Sequence, residues 1–108
     1  MITVSLFKNK NHSIRGFTVE GHAGYGERGS DIVCASVTTV AMTTVNGLTD
    51  VVNISLMPEV REGYLACHLP EKLSEKQRRE ADVLLESMVL TLQNLVSQYG
   101  DYVCLREK

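Results

Sequence analysis

A glycine-rich break, GHAGYGERG at residues 21–29, is the feature that most limits how this chain can fold. Residues 14–20 before it read as a strand, with Phe17 and Val19 on one face. After it, Ser30 and Asp31 are suitable helix N-caps, and apolar residues then recur at helical spacing from 33 to 48. Because glycine tolerates positive φ, the sequence predicts a strand–loop–helix unit in which the chain turns back on itself.

The rest of the chain supplies further strands and a second helix. Residues 2–7 alternate and form a hairpin with 14–20, while 51–57 and 63–69 are predicted strands joined by the turn PEVREG. A long helix starts near Ser74 and stops at Gly100, and 102–107 is a last strand. The order ββαββαβ predicts an α+β fold, a two-layer arrangement of two helices on a mixed or antiparallel five-stranded sheet. At 108 residues, the chain is expected to form a single domain, 1–108.

Charge and composition argue against several classes of function. The net charge of −2 predicts no direct nucleic-acid partner, because phosphate binding usually shows as a basic surplus. No apolar run approaches the ~20 residues that span a bilayer, and no signal peptide is recognised, so we expect a cytoplasmic protein with no membrane partner. Three cysteines without a C-x-x-C pair predict neither a disulfide framework nor a zinc site, so no metal and no cofactor are expected.

One interpretation of the break is a phosphate-binding loop. Gly24, Gly26 and Gly29 match G-x-G-x-x-G between a strand and a helix. In a dinucleotide site, however, the helix starts within the motif so that its free amides face the pyrophosphate. Here Ser30 and Asp31 follow the last glycine, and Asp31 places a carboxylate where the phosphate should lie. A nucleotide-binding domain is therefore the less favoured alternative.

A second interpretation pairs His22 with Cys34. Cys34 lies in the first turn of the predicted helix, where the helix dipole and unpaired amides favour a thiolate and can stabilise an oxyanion. His22 ends the preceding strand, and the loop is long enough to bring its ring beside the sulfur as a base. The structural alternative is that Cys34 is a small buried hydrophobe, as we expect for Cys67 and Cys104.

The same stretch resembles the motif of the ribosomal-processing cysteine proteases, the Prp family. That motif is a Gly-His pair at a strand end, a glycine-containing loop, and Asp-x-x-Cys opening a helix. The matching residues are Gly21, His22, Asp31 and Cys34, and the resemblance in length and element order covers essentially the whole chain. Thr38 stands where family members often carry serine, and it keeps the hydroxyl one turn after Cys34.

The resemblance implies a cysteine endopeptidase with Cys34 as nucleophile and His22 as base, supported by Gly21, Asp31 and Thr38. Its implied substrate is the precursor of a large-subunit ribosomal protein, number twenty-seven, from which it removes an N-terminal extension. It also implies a homodimer. The alternative from another class is a non-enzymatic ribosome-associated binding protein, which needs no reactive thiol.

The loop between the pair is expected to move. Its glycines and polar residues provide few apolar contacts, so we expect it to be mobile without substrate and to close over a bound peptide. This glycine loop comprises Ala23, Gly24, Tyr25, Gly26, Glu27, Arg28, Gly29 and Ser30. Three acidic residues near the proposed site, Glu20, Glu27 and Asp31, either attract a basic peptide or are solvated surface charges, and the sequence leaves both interpretations open.

Overall fold

The computed structural model describes residues 1–27 and 30–108, so Arg28 and Gly29 of the glycine loop lie outside the described residues. The predicted order ββαββαβ is confirmed. The elements are β1 (Ile2–Lys8), β2 (Ile14–Glu20), α1 (Ile32–Asn46), β3 (Glu59–Arg61), β4 (Tyr64–His68), α2 (Glu75–Tyr99) and β5 (Val103–Glu107). A single π-helical turn, Gly47–Val51, continues α1.

The strands form one mixed sheet in the order β3-β4-β2-β1-β5. The β1–β5 pair is parallel, and the other three pairs are antiparallel. Glu20, the last residue of β2, is opposite Tyr64, the first residue of β4. The chain that leaves β2 toward the glycine loop therefore lies beside the turn between β3 and β4, and this arrangement places the site described below.

The core lies between the sheet and the two helices. The alternation predicted for β1 is confirmed, because Ile2, Val4 and Leu6 are each at most 3% exposed. From the helices, Val33, Val37, Ala41 and Val45 of α1 and Ala81, Leu85, Met88 and Leu92 of α2 are buried. Full burial of a side chain such as Leu92 stabilises the fold by about 1.5–3 kcal/mol.

The strand predicted at residues 51–57 is wrong in position. The chain continues from α1 through the π turn, Asn53 has a φ of 62°, and residues 53–58 of the described chain join no strand ladder. The apolar alternation still marks burial, since Val52 and Ile54 lie in the core. Burial only requires that alternate side chains point inward, whereas a strand also needs a neighbouring strand. That neighbour is available to Glu59–Arg61, inside the segment PEVREG that was interpreted as a turn.

One helical segment, Ile32–Val51, is long and apolar enough to cross a membrane by length and composition. It is α1 with its π turn, and the packing explains the composition. Five side chains of α1 are buried, and Leu48 of the π turn is fully buried as well. The buried β-branched residues of this helix, Val33, Val37, Thr44 and Val45, face the core, which offsets their lower helix propensity.

Candidate active site

His22 and Cys34 lie together at the start of α1. His22 is the second residue after the end of β2, and Cys34 is in the first turn of the helix. The backbone N–H of Ala23, the residue after His22, donates a hydrogen bond to the Cys34 sulfur at 3.2 Å. The side chains of both residues line one cavity of about 470 Å³. The fold therefore places an imidazole and a thiol, separated by the glycine loop in the sequence, at one cavity.

Asp31 connects the glycine loop to the helix. Its Oδ1 accepts hydrogen bonds from the backbone N–H groups of Val33 and Cys34, both at 3.0 Å. Its Oδ2 accepts from those of Tyr25 at 2.9 Å and Gly26 at 3.1 Å. The predicted N-cap is thus confirmed, and the same carboxylate also fixes the loop.

Asp31 is 7% exposed, yet the ionised form of its carboxyl is favoured. The amide of Cys34 lowers its pKa from the usual value most, the amides of Gly26, Tyr25 and Val33 lower it further, and burial opposes them. Four N–H dipoles therefore compensate a charge that would otherwise be costly to bury. Amides of the glycine loop therefore bind a negative charge, and that charge is the carboxylate of Asp31 in the same chain.

The four hydrogen bonds to Asp31 bear on two of the predictions made from the sequence. The amides that a dinucleotide loop would offer to a pyrophosphate are already bonded to Asp31, which disfavours the nucleotide-binding alternative. The expectation that amides at the helix start hold an oxyanion is wrong for Val33 and Cys34, for the same reason. The N–H of Ala23, in contrast, donates to the Cys34 sulfur.

The three thiols differ in surroundings, although all are free. Cys34 is half-buried at the cavity. Cys67 is 1% exposed, and its burial raises the pKa of its thiol to about 11. Cys104 is half-buried, with its sulfur 3.4 Å from the Thr3 hydroxyl. Of the three, Cys34 is therefore the one placed for nucleophilic chemistry.

The β3–β4 turn positions the His22 ring, and sequence reasoning missed it. Gly63 has a φ of +69°, and a Cβ added there would lie 3.0 Å from His22 Nε2. The Gly63 carbonyl also accepts a hydrogen bond from the N–H of Gly21, at 2.9 Å. Glu62, the neighbouring turn residue, lines the same cavity as His22. Glycine between two strand patterns signals a turn, but nothing local in the sequence shows that this turn faces His22.

Thr38 is exposed one turn after Cys34 and lines the cavity. Other hydroxyls of α1, those of Ser36, Thr43 and Thr44, donate to the carbonyl four residues earlier. Thr38 forms no such bond in the described part of the chain. Its hydroxyl is therefore available on the side of the helix that carries Cys34.

The described part of the glycine loop rests on the end of α2. The Tyr25 ring stacks edge-on against Tyr99 at 5.5 Å and against Tyr102 at 5.1 Å, with interplanar angles of 83°. Ala23 is buried, whereas Gly24 and Gly26 line the cavity. The mobility expected of this loop stays a prediction.

A second cavity, of about 430 Å³, shares His22, Cys34 and Thr38 with the first. Its remaining walls are mainly apolar and include Val19, Met42, Val60, Tyr64 and Leu65. Cys34 thus lies where the two cavities meet. Within residues 1–27 and 30–108, no cluster of three or more metal-ligating side chains is found.

Comparisons with known proteins agree on one family. The model of the family described as "Cysteine protease Prp" matches residues 1–104. The ribosomal processing cysteine protease Prp of Bacillus subtilis (strain 168) is 31% identical over 103 residues, which are 94% of this chain and 92% of that protein. The protein of the same name from Staphylococcus aureus (strain Mu50) is 29% identical over 108 residues, with both chains fully covered.

Solved structures show the same likeness. The essential ribosomal processing protease Prp from S. aureus, in complex with a covalently linked product peptide, superposes with a TM-score of 0.88 at 26% identity. Its complex with a substrate peptide gives 0.83 at 25% identity. Both comparisons cover 100% of each chain.

Proposed function

Because this chain belongs to the cysteine protease Prp family and is a cysteine endopeptidase, we propose that Cys34 is its nucleophile and His22 its general base. The observation that carries the assignment is the 3.2 Å hydrogen bond from the Ala23 N–H to the Cys34 sulfur. It holds the residue next to His22 against the thiol, and both side chains line one cavity. Residues 1–108 then act as one protease domain. No observation on the described residues favours the nucleotide-binding alternative or the non-enzymatic one.

The reaction follows from this placement. His22 takes the thiol proton, and the Cys34 sulfur attacks the carbonyl carbon of the scissile peptide bond. His22 returns the proton to the leaving amine as the C–N bond breaks, which leaves a thioester on Cys34. Water, deprotonated by His22, then hydrolyses the thioester and restores the thiol. We assign the oxyanion to two donors, the N–H of Ala23, which lies 3.2 Å from the sulfur, and the hydroxyl of Thr38, which lines the same cavity.

Two further residues support the pair without reacting. Asp31 holds the glycine loop and the helix start in one arrangement through its four hydrogen bonds. Gly21 precedes His22 with a φ of +94°, and a Cβ there would lie 2.5 Å from the Met1 carbonyl oxygen. Only glycine therefore lets the chain leave β2 in the direction that points His22 toward Cys34.

The substrate we assign is the precursor of the large-subunit ribosomal protein twenty-seven, made in the cytoplasm, from which the enzyme removes the N-terminal extension. The support is the family, whose named relatives are ribosomal processing proteases, and the S. aureus structure with a substrate peptide. The two cavities that meet at Cys34 leave room for residues on each side of a scissile bond, and the apolar cavity suits an apolar side chain.

The test is cleavage of that precursor from the same genome by the purified chain, read by intact mass and N-terminal sequencing. One cut at the end of the extension is expected. Cys34→Ala should lower the rate by about four orders of magnitude or more, because no other group supplies the nucleophile. Cys104→Ala is the matched control and should cut at the unsubstituted rate. Undiminished cleavage by Cys34→Ala would sink the assignment.

A homodimer is the assembly we propose. Its support is the outward face of α2, where Val83 is 67% exposed and Leu90 is 63% exposed. Large apolar side chains on one helix face are typical of a subunit interface. Sedimentation should show a dimer for the unsubstituted chain and a monomer for Val83→Glu/Leu90→Glu. A monomer for both proteins would contradict the proposal.

A further inference from the structure

The outer strand β3 lies beside the proposed nucleophile. The sheet order places β4 on one side of β3, and no described residue pairs with its other side, which is its free edge. Val60 of β3 lines the apolar cavity of about 430 Å³ that also contains Cys34. The free edge of β3 and the thiol therefore open into one space.

The hydrogen bonds of the neighbouring chain decide which backbone groups of β3 face its free edge. The Gly63 carbonyl accepts from the Gly21 N–H at 2.9 Å, on the side of β2. Because the backbone groups of successive strand residues point to opposite sides, those of Tyr64 point toward β3 and bond to Arg61, which lies opposite. Val60, the adjacent residue of β3, then directs its N–H and C=O away from β4, where they can pair with another chain.

The Val60 side chain lies on the face of the sheet that carries α1. It is opposite Leu65, a core residue that is 7% exposed, and residues paired across two strands point to the same face. Val60 itself is 61% exposed. Its charged neighbours Glu59 and Arg61 bond to each other, at 3.3 Å. A ligand at this edge therefore meets both backbone groups and the apolar side chain of Val60.

Helix α1 forms the opposite wall of the apolar cavity. Cys34, Thr38, Ala41 and Met42 line it, at the three- and four-residue spacing of one helix face. Met42 is eight residues after Cys34, which is about 12 Å along a helix axis at ~1.5 Å per residue. An extended peptide covers that distance with about three to four residues, at ~3.3 Å each. The wall of α1 therefore has the length of a short strand that starts at the thiol.

We propose that the substrate peptide binds as an additional strand at the free edge of β3, in the groove between β3 and α1, with its main chain bonded to the N–H and C=O of Val60. The bound residues lie on one side of the scissile bond. The inference rests on the proposed function, because it takes Cys34 as the reacting atom. Main-chain pairing of this kind supplies affinity, and pockets for alternate side chains supply specificity. Here alternate side chains of the peptide enter the apolar cavity.

Val60→Pro and Val60→Ala separate the N–H of Val60 from its side chain. Proline removes the donor, and an edge strand tolerates it where the N–H faces away from the sheet. With the ribosomal precursor as substrate, KM for Val60→Pro should be about 3- to 10-fold above that for Val60→Ala, as expected for one lost neutral hydrogen bond. The two kcat values should be similar, because the lost contact is the same in the ground state and the transition state. Thermal unfolding should give the two variants similar melting temperatures.

Backbone-ester peptides test the same pairing without altering the enzyme. Internally quenched peptides that span the cleavage site each carry an ester in place of one amide other than the scissile one, so that a single N–H is lost. At one position, where the N–H bonds to the Val60 carbonyl, the ester should raise KM by about 3- to 10-fold. The amides on either side of that position point away from β3, so their esters should change KM less than about twofold.

The two experiments distinguish this inference from the proposed function. A flat ester series, or equal KM values for Val60→Pro and Val60→Ala, overturns the inference, while cleavage by the unsubstituted chain leaves the proposed function standing. If Val60→Pro does not fold, the ester series alone decides. If the unsubstituted chain cuts neither the precursor nor the peptides, the proposed function fails and the inference fails with it.

Discussion

The backbone N–H of Ala23 donates to the sulfur of Cys34 across 3.2 Å. Ala23 directly follows His22, so this bond joins the segment after β2 to the first turn of α1. Asp31 makes a second connection between the same two regions through amides of the loop and of the helix. Hydrogen bonds from backbone N–H groups to the side chains of Cys34 and Asp31 therefore hold the proposed catalytic pair together. Removing these bonds should change both the reactivity of the thiol and the stability of the fold, and the two effects can be measured separately.

Iodoacetamide should modify Cys34 before the other two thiols. Burial raises the pKa of Cys67 to about 11, so only about one in a thousand of its thiols is ionised at pH 8. Peptide mass spectrometry at pH 8 should show Cys34 reacting at least ~10-fold faster than Cys67, which is also 1% exposed. Cys34→Ser should lose the fast phase, whereas equal rates at all three thiols would argue against the placement of Cys34.

Asp31→Asn should lower the melting temperature at pH 7, because an amide cannot accept all four backbone hydrogen bonds. The pKa of Asp31 is lower in the folded chain than its usual value of 3.8. A depressed carboxyl pKa stabilises the fold above the unfolded value, and the contribution is lost as pH falls through the folded value. The gap between the two proteins should therefore be full at pH 6–7 and shrink below about pH 4.

Thermal unfolding followed by circular dichroism at pH 7 and pH 3.5 measures this gap. Asp101→Asn is the control, since Asp101 is exposed and outside the site. It should change the melting temperature little at either pH. A gap for Asp31→Asn that is the same at both values would show that the carboxylate charge does not stabilise the fold.

Gly63→Ala should reduce kcat by about 10- to 100-fold with a smaller change in KM. Its Cβ would lie 3.0 Å from His22 Nε2, so the ring must shift within the cavity that it shares with Cys34. Asn53→Ala is matched for backbone strain, because Asn53 also has a left-handed φ, 62°, but lies outside both cavities. Each substitution should cost about 1 kcal/mol of stability. Steady-state kinetics that show the same loss of kcat in both variants would contradict a positioning role.

Tyr25→Ala should loosen the glycine loop. Its ring contacts Tyr99 and Tyr102, and each aromatic pair contributes about 0.5–1.5 kcal/mol. Amide hydrogen exchange at residues 23–27 should be faster in Tyr25→Ala than in Tyr25→Phe, which keeps the ring. In the unsubstituted chain the same amides should exchange more slowly when a substrate peptide is bound. Equal exchange in all four samples would refute the idea of a mobile loop that closes.

The sequence by itself determined the features that depend on a few neighbouring residues. The alternation of β1, the cap at Asp31 and the start of α2 at Ser74 were all predictable. The Ser74 cap shows why, since its side chain accepts from the Gln77 N–H three residues on, within a single turn. His22 and Cys34 were also nameable from sequence, because they flank one loop.

Only the tertiary structure decided the features that join distant segments. The sheet order places the β3–β4 turn beside His22, which brought Gly63 and Glu62 into the site. It also moved the third strand to Glu59–Arg61, because a ladder forms only where β4 has a free edge. Periodicity records which side chains are buried, and caps record where helices begin. Neither specifies which segments become neighbours, since that depends on how the whole sheet is assembled.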